Sequence, residues 1–281
     1  MGKIAVHLHL FYLEQLDDLL VRLQNLTDYP YDLFVTMVDD NAEAKQKILT
    51  FKSDAKIWMV PNLGYDVGPF IDFLHQIDLE AYDYIIKIHT KRTQDDKYCI
   101  FNGHRFDMQV WREMLLDAII SPKAAVNNLQ ILEQNPRIGM IGSDYVLTDE
   151  EFTYRNMEEE IAEEMVKIGL KMPQDRHFVA GTMFWARAKM LQPFLAYEIE
   201  NFAASDEQVH DETLAHVLER MFGLAVTAQG YQIIGMHFKS FFLTFLKATL
   251  KRFLFQKKKT RKGYLIVKIC KIPVYYRKET I

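Results

Sequence analysis

The chain has 281 residues, 49% of them hydrophobic and 13% aromatic, enough to bury one substantial core in an ordinary α/β enzyme domain. Its two cysteines, Cys99 and Cys270, stand far apart without CxxC or Cys/His spacing, which argues against a disulfide framework or a structural zinc site and fits a reducing cytosol. The net charge of −4 is uneven: residues 239–281 hold 13 Lys/Arg and one acid, Glu279, so a tail of +12 follows a body of −16 over residues 1–238.

Residues 4–10 read as an apolar first strand. One early lysine, histidines inside the run and no small-residue cleavage site make it a strand rather than a signal peptide. Helical spacing follows over 13–26, then an apolar strand over 33–38 ending in Asp39-Asp40, a short helix over 41–51 and a strand over 56–60. The loop Pro61-Asn62-Leu63-Gly64-Tyr65-Asp66 leads into a helix over 68–76. A strand over 84–90, a long helix over 105–120 and a short strand over 138–141 continue the alternation. An acid-rich amphipathic helix spans 156–170, a strand-like stretch 178–186, and a helix 211–222 that Gly223 is expected to close. Strands alternating with helices predict a Rossmann-type, mostly parallel sheet covered on both faces, with ligands beyond the carboxyl ends of its strands.

The tail places Phe242, Phe245, Leu246, Leu250, Phe253 and Leu254 near one helical face, with Lys257, Lys258 and Lys259 directly after. No apolar run approaches the ~20 residues that span a bilayer, so the geometry that fits is a basic helix lying in an anionic membrane interface. A terminal helix docked on the core with a solvated lysine run is the other reading. The body carries no nucleic-acid motif and is acidic, which places a nucleic-acid partner last.

The strand through Lys87-Ile88-His89-Thr90-Lys91 is the most informative segment. Alternation puts Lys87, His89 and Lys91 on one face, where cationizable groups in a buried central strand need an anion or a carboxylate to meet them. A diphosphate is one such partner; nearby Asp or Glu is the other. Asp39 and Asp40 stand where a sugar-nucleotide enzyme places acceptors for base or ribose, although turn chemistry accounts for such pairs as well. Asp66 either binds a ribose hydroxyl or organises the helix start. Asp211 and Glu212 open a helix, as a general base held near an acceptor hydroxyl or as acids favoured by the helix dipole. Trp185, after Gly181, is a sugar platform or a core residue. His7 and His9 form an HxH pair on the first strand, but no other His or Cys lies at helpful spacing, so they read as locally hydrogen-bonded and no metal site is assigned.

Taken in order, His9-Leu10-Phe11-Tyr12, Asn62-Leu63-Gly64-Tyr65-Asp66-Val67-Gly68-Pro69-Phe70, Lys87-Ile88-His89-Thr90-Lys91, Trp111-Arg112, Gly181-Thr182-Met183-Phe184-Trp185 and the run from Asp211 to Arg220 resemble the rhamnan synthesis protein F family over about residues 4–222. The charge and apolar face of the tail make 239–281 a basic amphipathic, membrane-associating segment, and the resemblance implies a GT-A-like glycosyltransferase domain over 1–238. It implies transfer of a sugar, L-rhamnose from dTDP-L-rhamnose, onto a lipid-linked cell-surface polysaccharide acceptor, with inversion, at the inner face of a bacterial cytoplasmic membrane. A UDP-hexose donor and a non-catalytic scaffold of a polysaccharide assembly complex are the alternatives. On this reading Asp211 is the base, with Glu212 second. His9, Tyr12, Asp39, Asp40, Asn62, Gly64, Asp66, Lys87, His89 and Lys91 hold the donor, and Trp111, Arg112, Gly181 and Trp185 the acceptor. Where many such enzymes carry an Asp-x-Asp metal motif, this chain has His89-Thr90-Lys91. Leaving-group charge is then met by Lys87, His89, Lys91 and Arg92 rather than by a divalent cation; a Mg or Mn cofactor stays open without that motif.

Overall fold

The computed structural model describes residues 2–93, 98–101, 104–150, 157–205, 213–236, 255–259, 264–269 and 272–278. They fall into two compact units, Met1–Arg92 with Met114–His237 and Thr93–Glu113 with Phe238–Ile281. In chain order the elements are β1 (Ile4–Leu10), α1 (Leu16–Leu23), β2 (Tyr31–Met37), α2 (Ala42–Phe51), β3 (Lys56–Met59), α3 (Val67–Gln76), β4 (Tyr84–His89), β5 (Tyr98–Phe101), β6 (His104–Asp107), α4 (Met108–Ile120) and α5 (Pro122–Gln134). There follow β7 (Ile138–Ser143), β8 (Leu147–Asp149), α6 (Glu158–Lys167), β9 (His177–Val179), β10 (Phe184–Arg187), α7 (Leu214–Ala228), β11 (Gln232–Met236), β12 (Phe255–Lys259), β13 (Tyr264–Ile269) and β14 (Ile272–Lys278).

The first unit is built on a seven-stranded sheet of order β11-β7-β10-β4-β1-β2-β3. Every pairing is parallel except those of β10, which runs antiparallel to β4 and β7. This is the expected mostly parallel α/β architecture. Every residue of β1 and β4 is buried, as central strands covered on both faces must be. In α1 the spacing of Leu16, Leu19, Leu20 and Leu23 gives one buried face. Asn41 caps α2, its Oδ1 accepting the Ala44 N–H at 2.8 Å. Between α3 and the sheet, Phe73 stacks on the His7 ring at 4.7 Å and Phe70 meets the edges of Phe184 and Phe222 at 5.9 and 5.4 Å. Rings of this size stabilise by roughly 1.5–3 kcal/mol each on burial.

Several boundaries differ from the sequence reading. The stretch 178–186 is two strands, β9 and β10, because Gly181 and Thr182 turn the chain with φ of 81° and 53°. Gly223 does not close a helix: it lies inside α7, where a Cβ would meet the Phe178 Cα at 2.5 Å and the His177 carbonyl at 2.6 Å. The glycine serves close helix-to-strand approach, and α7 runs on to Ala228. Helix α5 and the edge strand β11 were not anticipated.

The second unit contains the hairpin β5–β6 and a three-stranded antiparallel sheet, β12-β13-β14. The apolar helical face expected over 242–254 lies outside the described residues. The segment after it pairs as strands, with Ile269, Ile272, Val274 and Tyr275 exposed. Among the described residues, no helix is long and apolar enough to cross a membrane.

Candidate active site

A cavity of about 370 Å³ opens in the first unit beyond the carboxyl ends of β1 and β4, where an open parallel sheet places its ligands. Strand β1 delivers His9, Phe11 and Tyr12, and β4 delivers His89, Thr90, Lys91 and Arg92. The loop before α3 adds Asn62, Tyr65 and Asp66. The turn before β10 adds Thr182, and the first turns of α7 add Ala215, His216 and Glu219.

The loop before α3 is held by backbone pairing with residues 203–205. Gly64 N–H donates to the Ala203 carbonyl at 3.0 Å, Ser205 N–H to the Asn62 carbonyl at 3.1 Å, and Tyr65 N–H to Ser205 Oγ at 2.7 Å. Gly64 sits at φ 66° under the Phe202 ring, which a Cβ would approach to 2.7 Å. Only glycine suits both conditions. The result aims Asp66 at the cavity floor.

There Asp66, 17% exposed, accepts hydrogen bonds from the Lys87 ammonium and the Thr182 hydroxyl. Lys87 is completely buried and also donates to Thr182 Oγ1 at 2.8 Å and the Thr182 carbonyl at 3.1 Å. All three of its donors are therefore used inside the protein. Burial alone would raise the Asp66 carboxyl, but the neighbouring charges of His89, Lys87 and Lys91 and the Lys87 hydrogen bond hold it well below the usual carboxylate range. Burial pulls the Lys87 ammonium down against the same carboxylate. The pair is a neutralised ion pair in the floor.

His7, His9 and His89 are buried and uncharged at neutral pH. His7 Nε2 and His9 Nδ1 both meet Thr36 Oγ1, at 2.9 and 3.0 Å, so the HxH pair is hydrogen-bonded locally to the neighbouring strand. Burial first, then neighbouring His9, Lys87 and His89 charges, pushes His7 well down. Burial also takes His9 to about 3, against the opposing pull of Asp66. His89 lies between two carbonyls, Nε2 at 2.9 Å from Gly181 and Nδ1 at 2.9 Å from Thr90. These favour protons on both nitrogens, as does Asp66, but burial beside Lys87 and Lys91 prevails and the ring titrates at about 4.

The structure thus separates residues that the sequence grouped together. His9, Tyr12, Asn62, Asp66, His89 and Lys91 line the cavity, and Gly64 shapes it. Lys87 does not line it: the carboxylate that meets its charge belongs to Asp66, so the Lys87 ammonium is not free for a diphosphate. His89 brings no cation at neutral pH. Positive charge reaches the cavity from Lys91 and Arg92, just past the strand end. Asp39 and Asp40 are exposed, outside the cavity lining, and Asp40 pairs with Lys45 at 2.8 Å. Trp185 is core rather than platform, 0% exposed with its indole N–H on the Ile119 carbonyl at 2.9 Å. Gly181 works through its backbone, donating to Glu219 Oε1 at 2.6 Å and accepting from His89. Trp111 and Arg112 belong to the second unit, where Arg112 pairs with Glu113 at 3.1 Å. Asp211 and Glu212 lie outside the described residues.

Sequence reasoning passed over Tyr65, Thr182, Ser205, His216 and Glu219 as site residues. The i, i+3 spacing of His216 and Glu219 on α7 was the signal that could have found two of them. Among the described residues, no group of three or more His, Cys, Asp or Glu is placed to hold a metal ion. Of the two carboxylates lining the cavity, Asp66 accepts from the Lys87 ammonium through Oδ2 and Glu219 from the Gly181 N–H through Oε1.

Comparison with known proteins gives a family and a set of likenesses. The model of the family described as rhamnan synthesis protein F matches residues 1–231. The uncharacterized protein WxcX of Xanthomonas campestris pv. campestris strain B100 is 28% identical over 232 residues, 82% of this chain. The chain spans about a third of the length of the curated relatives it matches, 32% of that protein. Among solved structures, S. aureus TarS 1–349 in complex with UDP is similar at TM-score 0.45 and 11% identity, covering 84% of this chain and 58% of that one. Glucosyl-3-phosphoglycerate synthase from Mycobacterium tuberculosis, in complex with Mn2+, UDP and glucosyl-3-phosphoglycerate, is similar at TM-score 0.39 and 10% identity, covering 98% and 90%.

Proposed function

The chain belongs to the rhamnan synthesis protein F family, and we propose from this that it is a nucleotide-sugar-dependent GT-A glycosyltransferase whose donor is dTDP-L-rhamnose. The observation that carries the reading is the cavity at the carboxyl ends of β1 and β4, where Lys91 and Arg92 stand beside aromatic Phe11 and Tyr12. That combination suits a nucleoside diphosphate: cations for the phosphates, ring faces for the base.

In the proposed step, Asp211 takes the proton of an acceptor hydroxyl as its oxygen attacks the anomeric carbon. The bond from that carbon to the diphosphate breaks, and the leaving diphosphate gathers its charge against Lys91 and Arg92. Inversion at the anomeric carbon follows from single displacement. Because Lys91 and Arg92 are proposed to meet the leaving-group charge, transfer is expected to persist in EDTA, measured as product formed with and without chelator. The acceptor is proposed to be a lipid-linked polysaccharide. Residues 239–281, with 13 Lys/Arg and the exposed apolar residues of β13 and β14, would keep the enzyme against an anionic cytoplasmic leaflet.

The test is transfer from dTDP-L-rhamnose to a lipid-linked acceptor by the purified chain, with UDP-hexoses as competing donors. Asp211→Asn is expected to lower the rate by about 10²–10⁴-fold, the usual worth of a general base. Undiminished transfer removes Asp211 from that role. Turnover of a UDP-hexose alone replaces the donor, and binding of no sugar nucleotide leaves the scaffold reading.

A further inference from the structure

The loop leaving β1 and the loop leaving β4 hold each other through two side chains. Gln15 is buried, and its side-chain amide reads both backbone groups of Lys91. Nε2 donates to the Lys91 carbonyl at 2.5 Å and Oε1 accepts the Lys91 N–H at 3.1 Å. In return Thr90, also buried, accepts the Phe11 N–H at 2.9 Å and the Tyr12 N–H at 3.0 Å on its hydroxyl oxygen. Its own N–H donates to the His9 carbonyl at 3.0 Å. Each loop thus satisfies backbone groups of the other, which a chain leaving a sheet would otherwise have to give to water.

The clasp joins the residues that bring aromatic surface to the cavity to those that bring positive charge. Lys91 is long and rotamer-rich, so its ammonium is only as well placed as its backbone. With both N–H and carbonyl fixed by one amide, that backbone cannot swing without breaking two hydrogen bonds.

We propose that Gln15 is a positioning residue for nucleoside diphosphate binding, acting through Lys91, with Thr90 as the reciprocal half of the clasp. This rests on reading the cavity as a nucleotide-sugar site. Preorganised cations bind an anion more tightly because less freedom is lost on binding.

Calorimetry with dTDP and with UDP on the full chain tests it. Gln15→Leu is expected to weaken binding about tenfold, equivalent to ~1.4 kcal/mol. Thr90→Val should act alike, while Thr90→Ser, which keeps the hydroxyl, should bind as the wild type does. Thr90→Val also serves if Gln15→Leu fails to fold. The deciding measurement is the double-mutant cycle: in a Lys91→Met background, where the ammonium is gone, Gln15→Leu should change nucleotide affinity no further. Equal weakening in both backgrounds means that Gln15 merely supports the fold, and unchanged affinity in the single variant removes its role altogether; either overturns the proposal. Failure of the wild type to bind dTDP or UDP overturns the functional reading and this inference with it.

Discussion

Asp66→Asn is the perturbation on which the architecture of the cavity floor depends most. It removes the carboxylate charge facing an ammonium that is completely buried, yet it keeps the shape of the side chain. Breaking a buried pair by neutralising one partner costs about 3–5 kcal/mol, because the remaining charge is left uncompensated. Here the Thr182 carbonyl and hydroxyl still accept from Lys87, which places the loss at the lower end, ~3 kcal/mol. For a unit of this size that is a fall in Tm of roughly 6–12 °C. The reverse change, Lys87→Met, should cost less, since Asp66 is 17% exposed and water can reach the stranded carboxylate. The double variant Asp66→Asn/Lys87→Met should regain most of the stability lost in Asp66→Asn. Urea unfolding followed by tryptophan fluorescence reads all three. A loss below ~1 kcal/mol in Asp66→Asn, or no recovery in the double variant, would refute the view that Asp66 exists to neutralise Lys87.

Acid should destabilise the protein well before its carboxylates titrate. His7, His9 and His89 are held neutral in the fold, His9 at about 3 and His89 at about 4, whereas the unfolded chain takes up these protons near pH 6.5. Protons bound preferentially by the unfolded state make stability fall as pH drops from about 6.5 towards 4, with a limiting slope of ~4 kcal/mol per pH unit for three groups; flat urea midpoints across that window would contradict it. Asp66, depressed in the fold, adds stability that is full above its unfolded value near ~3.9 and is lost only below it. Gly223→Ala, which in an open helix would stabilise by ~1 kcal/mol, should instead destabilise by ~1–3 kcal/mol, because the new methyl meets the backbone of Phe178 and His177. A Tm above that of the wild type would overturn that packing argument.

The fold was legible because its signals are local. Alternating apolar runs and helical spacing mark β1 to β4 and their helices, and the ordered motifs from His9 to Arg220 pointed to the family that the chain proves to belong to. What stayed hidden depends on contacts between distant residues. Gly223 reads as a helix stop until Phe178 is found against it. Trp185 reads as either a platform or a core residue until its N–H is found on Ile119. Alternation correctly put Lys87 and His89 on one side of β4, but nothing in that segment says that Asp66, 21 residues earlier, meets the ammonium first. Gln15 lies 76 residues from the Lys91 backbone that it holds, a pairing no periodicity encodes.

The separation of buried from cavity-lining charge has a consequence that salt can expose. Lys87 is completely buried and its partner Asp66 only 17% exposed, so screening reaches the pair less than it reaches charges at the strand end. Lys91 and Arg92 stand where the sheet ends and solvent begins, and an anion bound there competes with dissolved ions as the Debye length contracts from ~10 Å at 0.1 M to ~3 Å at 1 M. Raising NaCl across that range should weaken dTDP binding about tenfold or more, while the wild-type urea midpoint moves little. Were both quantities to fall together, the buried pair would be reachable by ions. Were neither to fall, the cations past β4 would not be what holds the phosphates.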